Sequence, residues 1–214
     1  ETTLIDTFIG RRVDGLMLTG VVRDKALRER LAGLDVPIVE TWDYTTRPID
    51  MLVGFSNQDA AAAAATYLLS KGHRRLGYIG GMDHRSRARL AGITSTLAQH
   101  KVPPPAVVEI PSPSPAAPVS GAEALARLLA GHPEVRAVFC TNDMIALGVL
   151  LECQRRGIRV PEQLAVMGFS NLPVGRVSVP TLTTVHVSAR EIGTAAATML
   201  LERVETGIVA RRRI

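Results

Sequence analysis

Residues 136–169 read RAVFCTNDMIALGVLLECQRRGIRVPEQLAVMGF. The apolar run 137–140 is short enough for a buried strand, and Thr141, Asn142 and Asp143 follow it at once. Asn142 or Asp143 can accept from the unpaired N–H groups at a helix start. Helical spacing of apolar residues then continues to Arg156, and Gly157 supplies the stop. A second apolar run, 164–169, follows Pro161. Strand, helix and strand in that order form the βαβ unit, which joins parallel strands.

The alternation extends in both directions. Towards the N-terminus, strands are predicted at 13–18, 37–40, 51–55, 76–80 and 107–110, with helices at 24–34, 57–71, 86–100 and 121–130. Ser56 or Asn57 caps the alanine-rich helix and Gly72 ends it. Towards the C-terminus come a strand at 182–185 and a helix at 188–205. The stretch PSPSPAAP at 111–118 cannot continue a helix or a central strand. It reads as a surface loop, since the same alternation resumes at once, with a domain linker as the alternative. The pattern is that of an α/β protein with parallel sheets flanked by helices. From 56 to 186 the set of alternating units is complete, whereas the units before it leave a half-sheet whose apolar faces need cover. Either residues precede Glu1, which then reads as a cut inside a domain, or this lobe is unstable alone; 207–214 reads as a polar end, cut or frayed.

Composition narrows the function classes. Of 214 residues 46% are hydrophobic and only 4% aromatic, so the core is built from Ala, Val, Leu and Ile. No apolar run approaches the roughly 20 residues of a membrane span. The formal charge of +5 admits an anionic partner, but the basic residues are scattered, apart from Arg211–Arg213, and no aromatics interleave with them. Cys140 and Cys153 lie too far apart for a Cys-x-x-Cys site and read as buried thiols of a reducing cytoplasm. The five histidines show no H-x-x-x-H spacing, and no Gly-x-Gly-x-x-Gly follows a strand. Neither a metal nor a cofactor is expected.

Several segments in order resemble the LacI/GalR family of bacterial transcriptional repressors. They are Val13-Asp-Gly-Leu-Met-Leu18, Gly72-His-Arg-Arg-Leu76 with Gly80-Gly81, Arg89-Leu-Ala-Gly92 and Phe139-Cys-Thr-Asn-Asp-Met-Ile-Ala-Leu-Gly148. Gly157-Ile-Arg-Val-Pro161, Ala165-Val-Met-Gly-Phe169 and Pro180-Thr-Leu-Thr-Thr184 complete the series. Cys140-Thr-Asn-Asp143 and Glu152-Cys-Gln-Arg-Arg156 are most similar to the gluconate-utilisation repressors. The resemblance implies a two-lobed periplasmic-binding-protein-like fold with ligand in the cleft. Residues 1–55 plus 187–214 would form an incomplete N-terminal lobe, and 56–186 the C-terminal lobe. It also implies a DNA-binding headpiece outside this chain, a homodimer through 144–156 and 174–179, and a small-molecule effector.

Ligands of open α/β sheets lie beyond the carboxyl ends of the strands, which selects the candidate residues. Asn142 can give and take hydrogen bonds from a polyhydroxylated ligand, or cap the next helix. The resemblance favours the ligand role and leaves the cap to Asp143. Arg85 and Arg89 share a helix face, and an arginine fork can hold a carboxylate. Arg89 matches the family's ligand-binding arginine, whereas Arg87 and His84 read as surface residues. Ser170 stands where the family has Asp in Gly-Phe/Tyr-Asp. A carboxylate about 5 Å from a ligand carboxylate would repel it by about 3 kcal/mol at an effective dielectric of 20, so its absence beside Arg89 points to an acidic ligand. Trp42 could face a ligand or fill the core, and Asp43 could bind hydroxyls or hold a turn. Phe55 precedes a crossing between lobes, where the core role competes with the ligand wall. The aromatic that family members often carry near Ala116 is absent.

These features predict a repressor's effector-binding core. A periplasmic sugar-binding protein of a transporter is the competing reading, and an enzyme on the same fold lacks any acid–base or nucleophile pair.

Overall fold

A computed structural model describes Ile5, Thr7, Phe8, Gly10 and residues 13–111, 117–209 and 213–214. The chain divides into two compact units, Glu1–Ser56 with Ser188–Ile214, and Asn57–Val187.

The first unit holds β1 (Leu16–Thr19), α1 (Lys25–Ala32), β2 (Ile38–Thr41) and β3 (Met51–Val53). The strands are parallel in the order β1-β2-β3, with Leu16 beside Ile38 and Val39 beside Met51. Asp24 starts α1 by accepting from Leu27 N. Alternation along the strands splits the apolar residues between two faces. Leu16 and Ile38 pack with Leu27 and Leu31 of α1, while Val39, Met51 and Val53 pack with Ala196 and Met199. Glu40 is fully buried yet satisfied, since its Oε1 accepts from Val22 N, its Oε2 from Ile49 N, both at 2.8 Å, and Arg28 lies 3.4 Å away.

The second unit contains α2 (Asn57–Ser70), β4 (Leu76–Gly80), α3 (His84–Gln99), β5 (Ala106–Glu109) and α4 (Ala117–Gly131). It continues with β6 (Ala137–Cys140), α5 (Asp143–Arg155), β7 (Ala165–Ser170), α6 (Val174–Val177) and β8 (Thr183–His186). All five strands are parallel, in the order β5-β4-β6-β7-β8. Helix α7 (Ala189–Thr206) returns to the first unit, capped by Ser188 and stopped by Gly207 at φ 75°.

Three sequence expectations are corrected. Pro118 lies inside the first turn of α4, where the N–H that proline lacks has no intrahelical acceptor anyway. Ala117 is helical too, and residues 112–116 of the expected loop lie outside the described residues. Of the expected polar end, 213–214 are paired instead. Arg213 bridges to Leu52 in parallel, Ile214 N donates to Leu52 O and Gly54 N donates to Ile214 O, both at 3.0 Å. Backbone groups on the open side of β3 need partners whatever the side chains are, so polarity was a poor guide here. Of the basic run 211–213, only Arg213 is described. Strand β3 stops at Val53, two residues short of the expected end, because Gly54 turns against the loop after β2. A Cβ on Gly54 would lie 2.1 Å from Asp43 O.

Glycine sets how closely the second unit's helices approach. A Cβ on Gly121 of α4 would lie 2.2 Å from Ile145 O of α5, and one on Gly148 of α5 would lie 1.8 Å from Pro118 O of α4. On α3, a Cβ on Gly92 would meet Gln58 O of α2 at 2.1 Å. Backbone cannot rotate aside as a side-chain tip can. Gly148→Ala is therefore expected to cost about 3 kcal/mol or more in denaturant unfolding. Gly131→Ala, where a Cβ meets nothing, should be neutral or stabilising by about 0.5 kcal/mol.

Glu152 of α5 is nearly buried and accepts from Arg155 Nε and Nη2 at 2.7 Å and from Arg156 Nε at 2.5 Å. Those bonds hold its carboxyl at about 2, below the ordinary 4.5. A depressed carboxyl stabilises the fold above its unfolded pKa, and the contribution disappears as pH falls through the folded value. Glu152→Gln should thus be less stable than wild type at neutral pH, and the difference should close between pH 4.5 and about 2 in pH-stepped denaturation.

Candidate functional site

Where successive connections leave a parallel sheet in opposite directions, the loops diverge and open a crevice at the strand ends. In the order β5-β4-β6-β7-β8 the reversal falls between β4 and β6. Arg89 spans it. From α3, which follows β4, its Nε donates to Asn57 Oδ1 at 2.9 Å and its Nη1 to the Thr141 carbonyl just past β6 at 2.5 Å. Its guanidinium carbon lies 3.7 Å from the centre of the Phe169 ring.

Beneath the arginine the sheet carries a row of aromatics, one from each of three adjacent strands. Tyr78 of β4 stacks on Phe139 of β6 at 6.0 Å between ring centres, and Phe139 meets Phe169 of β7 edge-on at 6.4 Å. All three are buried, and Tyr78 Oη donates to Ser86 O at 2.7 Å. Burial raises the Tyr78 pKa, an effect the Arg89 charge opposes. The face of Phe169 presents the negative side of its quadrupole to the guanidinium, so the ring holds the cation flat as well as supporting it.

Asn142 and Asp143 exchange their expected roles in part. Asn142, at φ −154° and ψ 166°, has cap geometry and accepts from Ile145 N at 2.9 Å. Its amide nitrogen remains a donor on a half-buried side chain. Asp143 is already helical and fully buried, and it does not cap α5. Its Oδ2 accepts from Leu172 N and its Oδ1 from Thr184 Oγ1, both at 2.6 Å. That carboxylate ties α5 to the end of β7 and to β8.

The tied segment begins at Ser170, half-buried at the last position of β7 with φ 122°, followed by Asn171 at φ 58°. Left-handed backbone at two successive non-glycine residues needs support. Asn171 N donates to Thr184 Oγ1 at 3.2 Å, and its side chain meets His186 Nδ1 at 2.9 Å. Ser170 and His186 are neighbours in the parallel register. Arg85 is half-buried one turn before Arg89, and among the described residues its guanidinium has no hydrogen-bond partner. His84 and Arg87 are exposed. Asp83 caps α3 through Arg85 N and Ser86 N.

The remaining candidates belong to the first unit. Trp42 and Asp43 follow β2, and Phe55 follows β3, at the carboxyl edge of that sheet. Trp42 is half-buried at φ 65°. Asp43 is buried, with its Oδ2 3.0 Å from Arg23 Nη2 and its Oδ1 accepting from Tyr44 N at 2.9 Å. Phe55 is half-buried. So Arg85, Arg89, Asn142 and Ser170 share one sheet edge, while Trp42, Asp43 and Phe55 share the corresponding edge of the other unit.

Asn57, the Thr141 carbonyl, Phe169, Asp143, Asn171 and His186 were not selected from sequence as site residues. Asn57 was visible only as a candidate cap. Its contact with Arg89 joins residues 32 apart in the chain, and no local pattern carries that information. Cys140 and Cys153 are buried free thiols; burial raises both, Cys153 to about 11. No group of His, Cys, Asp or Glu among the described residues could hold a metal ion. No described helix is long and apolar enough to cross a membrane.

Comparison with known proteins agrees with this architecture. Residues 65–214 match the periplasmic binding protein-like domain. The chain is 39% identical over 202 residues to the HTH-type transcriptional regulator GntR of Pseudomonas aeruginosa, covering 94% of this chain and 59% of that one. It thus spans about three-fifths of the length of the curated relatives it matches. The crystal structure of the transcription regulator GntR from Chromobacterium violaceum superposes with a TM-score of 0.91 at 35% identity, covering 99% of this chain and 78% of that one. A LacI family transcriptional regulator from Silicibacter pomeroyi superposes at 0.89 with 30% identity, covering 99% and 77%. The chain belongs to the periplasmic-binding-protein-like domain family, in the branch formed by LacI-family transcriptional regulators.

Proposed function

We propose that this chain is the effector-sensing core of a cytoplasmic transcriptional repressor, and that its effector is a sugar acid of the gluconate type. The observation that carries the reading is Arg89, fixed across the strand-order reversal on the face of Phe169, with Ser170 rather than a carboxylate at the end of β7. Arg85 adds a second cation on the same edge, and the Asn142 amide suits a hydroxyl. Trp42, Asp43 and Phe55 are proposed as the first unit's contribution to ligand binding.

The protein acts by binding rather than turnover. A ligand that favours one conformation shifts the population, and the DNA-binding part, outside these residues, responds. The relatives named above are transcriptional regulators, which supports a repressor over a transporter's periplasmic sugar-binding protein. We also propose a homodimer. Leu151 on α5 is 52% exposed, Val177 of α6 78% and Val179 83%, large apolar side chains left to solvent that suit contact with a second copy. Sedimentation of the intact protein should give a dimer, and a monomer at micromolar concentration would contradict this.

Calorimetry with D-gluconate and neutral D-glucitol tests the effector class. Wild type should prefer the acid. Arg89→Ala should weaken gluconate by about 1.5–3 kcal/mol, and loss of its bonds to Asn57 and the Thr141 carbonyl should lower the apo melting temperature as well. Ser170→Asp should weaken the acid and spare the polyol. Preference of the wild type for glucitol would refute the acid assignment, and an unaltered preference in Ser170→Asp would remove Ser170 from the ligand surface.

A further inference from the structure

We infer that Asn57 is a positioning residue whose carboxamide oxygen fixes the plane of the Arg89 guanidinium and so sets the preference for an anionic effector. The inference rests on Arg89 as the ligand's cation, proposed above, and goes beyond it to what holds that cation.

A guanidinium on a free arginine rotates about its last side-chain torsions, so its N–H groups point in no fixed direction. Here the Nε–H is held by Asn57 Oδ1 at 2.9 Å, one Nη1–H by Thr141 O at 2.5 Å, and the plane by the Phe169 ring at 3.7 Å. Two in-plane acceptors fix rotation within the plane, and the ring fixes its tilt. Both acceptors are neutral, so these two bonds direct the guanidinium without cancelling its charge. Thr141 O is backbone and Phe169 belongs to the buried aromatic row, so Asn57 is the hydrogen-bonding side chain among the three.

Its placement is itself rigid. Asn57 is 2% exposed at the first position of α2, and α2 is locked to α3 where Gly92 meets Gln58 O. The helix carrying the acceptor and the helix carrying the arginine therefore keep a fixed spacing. Aspartate at 57 would preserve the geometry but put a negative charge against the guanidinium. The position thus controls orientation and net charge separately.

Two readouts on the purified protein test this. In proton–nitrogen spectra without ligand, the Arg89 Nε–H, assigned by its loss in Arg89→Lys, should exchange slowly with solvent. It should exchange at least roughly ten-fold faster in Asn57→Ala, and stay slow in Asn57→Asp. In calorimetry the ratio of D-gluconate to D-glucitol affinity should fall roughly ten-fold in both variants. A residue that only stabilised the fold would lower the melting temperature and leave that ratio unchanged, which would overturn the inference. So would unaltered Nε–H exchange in Asn57→Ala. If Asn57→Ala does not fold, Asn57→Asp decides by itself: slow exchange with a lost preference supports the role, and an intact preference refutes it. Failure of the wild type to bind gluconate would defeat the sugar-acid reading, and the exchange rates would still judge the hold on Arg89.

Discussion

The bridge that Arg89 makes between α3 and the loop after β6 is the constraint around which the carboxyl edge of the second unit's sheet is organised. It crosses the point where strand order reverses, so it joins two loops that would otherwise diverge. A half-buried guanidinium in such a place needs partners for its donors and support for its face. The fold supplies them from three elements: Asn57 at the start of α2, the Thr141 carbonyl past β6, and Phe169 in β7. Each is set by packing that is independent of any ligand.

That packing explains why small residues recur beneath the site. Gly92 lets α3 approach α2, and Gly121 and Gly148 let α4 and α5 meet backbone to backbone. Gly168 serves the edge more directly, since a Cβ there would lie 2.2 Å from Asp143 Oδ1. Without that space Asp143 could not reach Thr184 and Leu172, and the left-handed turn at Ser170 and Asn171 would lose its anchor. Preorganisation of this kind lowers the ordering cost when a ligand binds.

Much of the fold was legible because strands and helices announce themselves locally. The run 137–140, the helix starts near 24 and 188 and the stops at Gly72 and Gly157 each follow from a few adjacent residues. Two of the misplaced boundaries turn on backbone hydrogen bonding, since Pro118 sits where a helix needs no N–H and 213–214 pair with β3, while the end of β3 turns on the close approach of Gly54 to Asp43 O. The strand-end rule and the family resemblance together selected Arg89, Asn142 and Ser170 for one edge. The same rule could not show that Asp143 turns inward while Asn142 caps, because both residues are good caps and only the helix phase separates them. Contacts between distant residues, such as Asn57 with Arg89 or Asn171 with His186, have no local signature.

The central claim is that the guanidinium of Arg89, held across the reversal between β4 and β6, is the group that receives the effector's negative charge. A crystal structure of the protein with D-gluconate tests it most directly. The account predicts the ligand's carboxylate about 3 Å from Arg89, beyond the carboxyl ends of β4 and β6, with the contacts to Asn57 and Thr141 retained. A carboxylate seated away from Arg89, with that side chain still facing only protein, would contradict it.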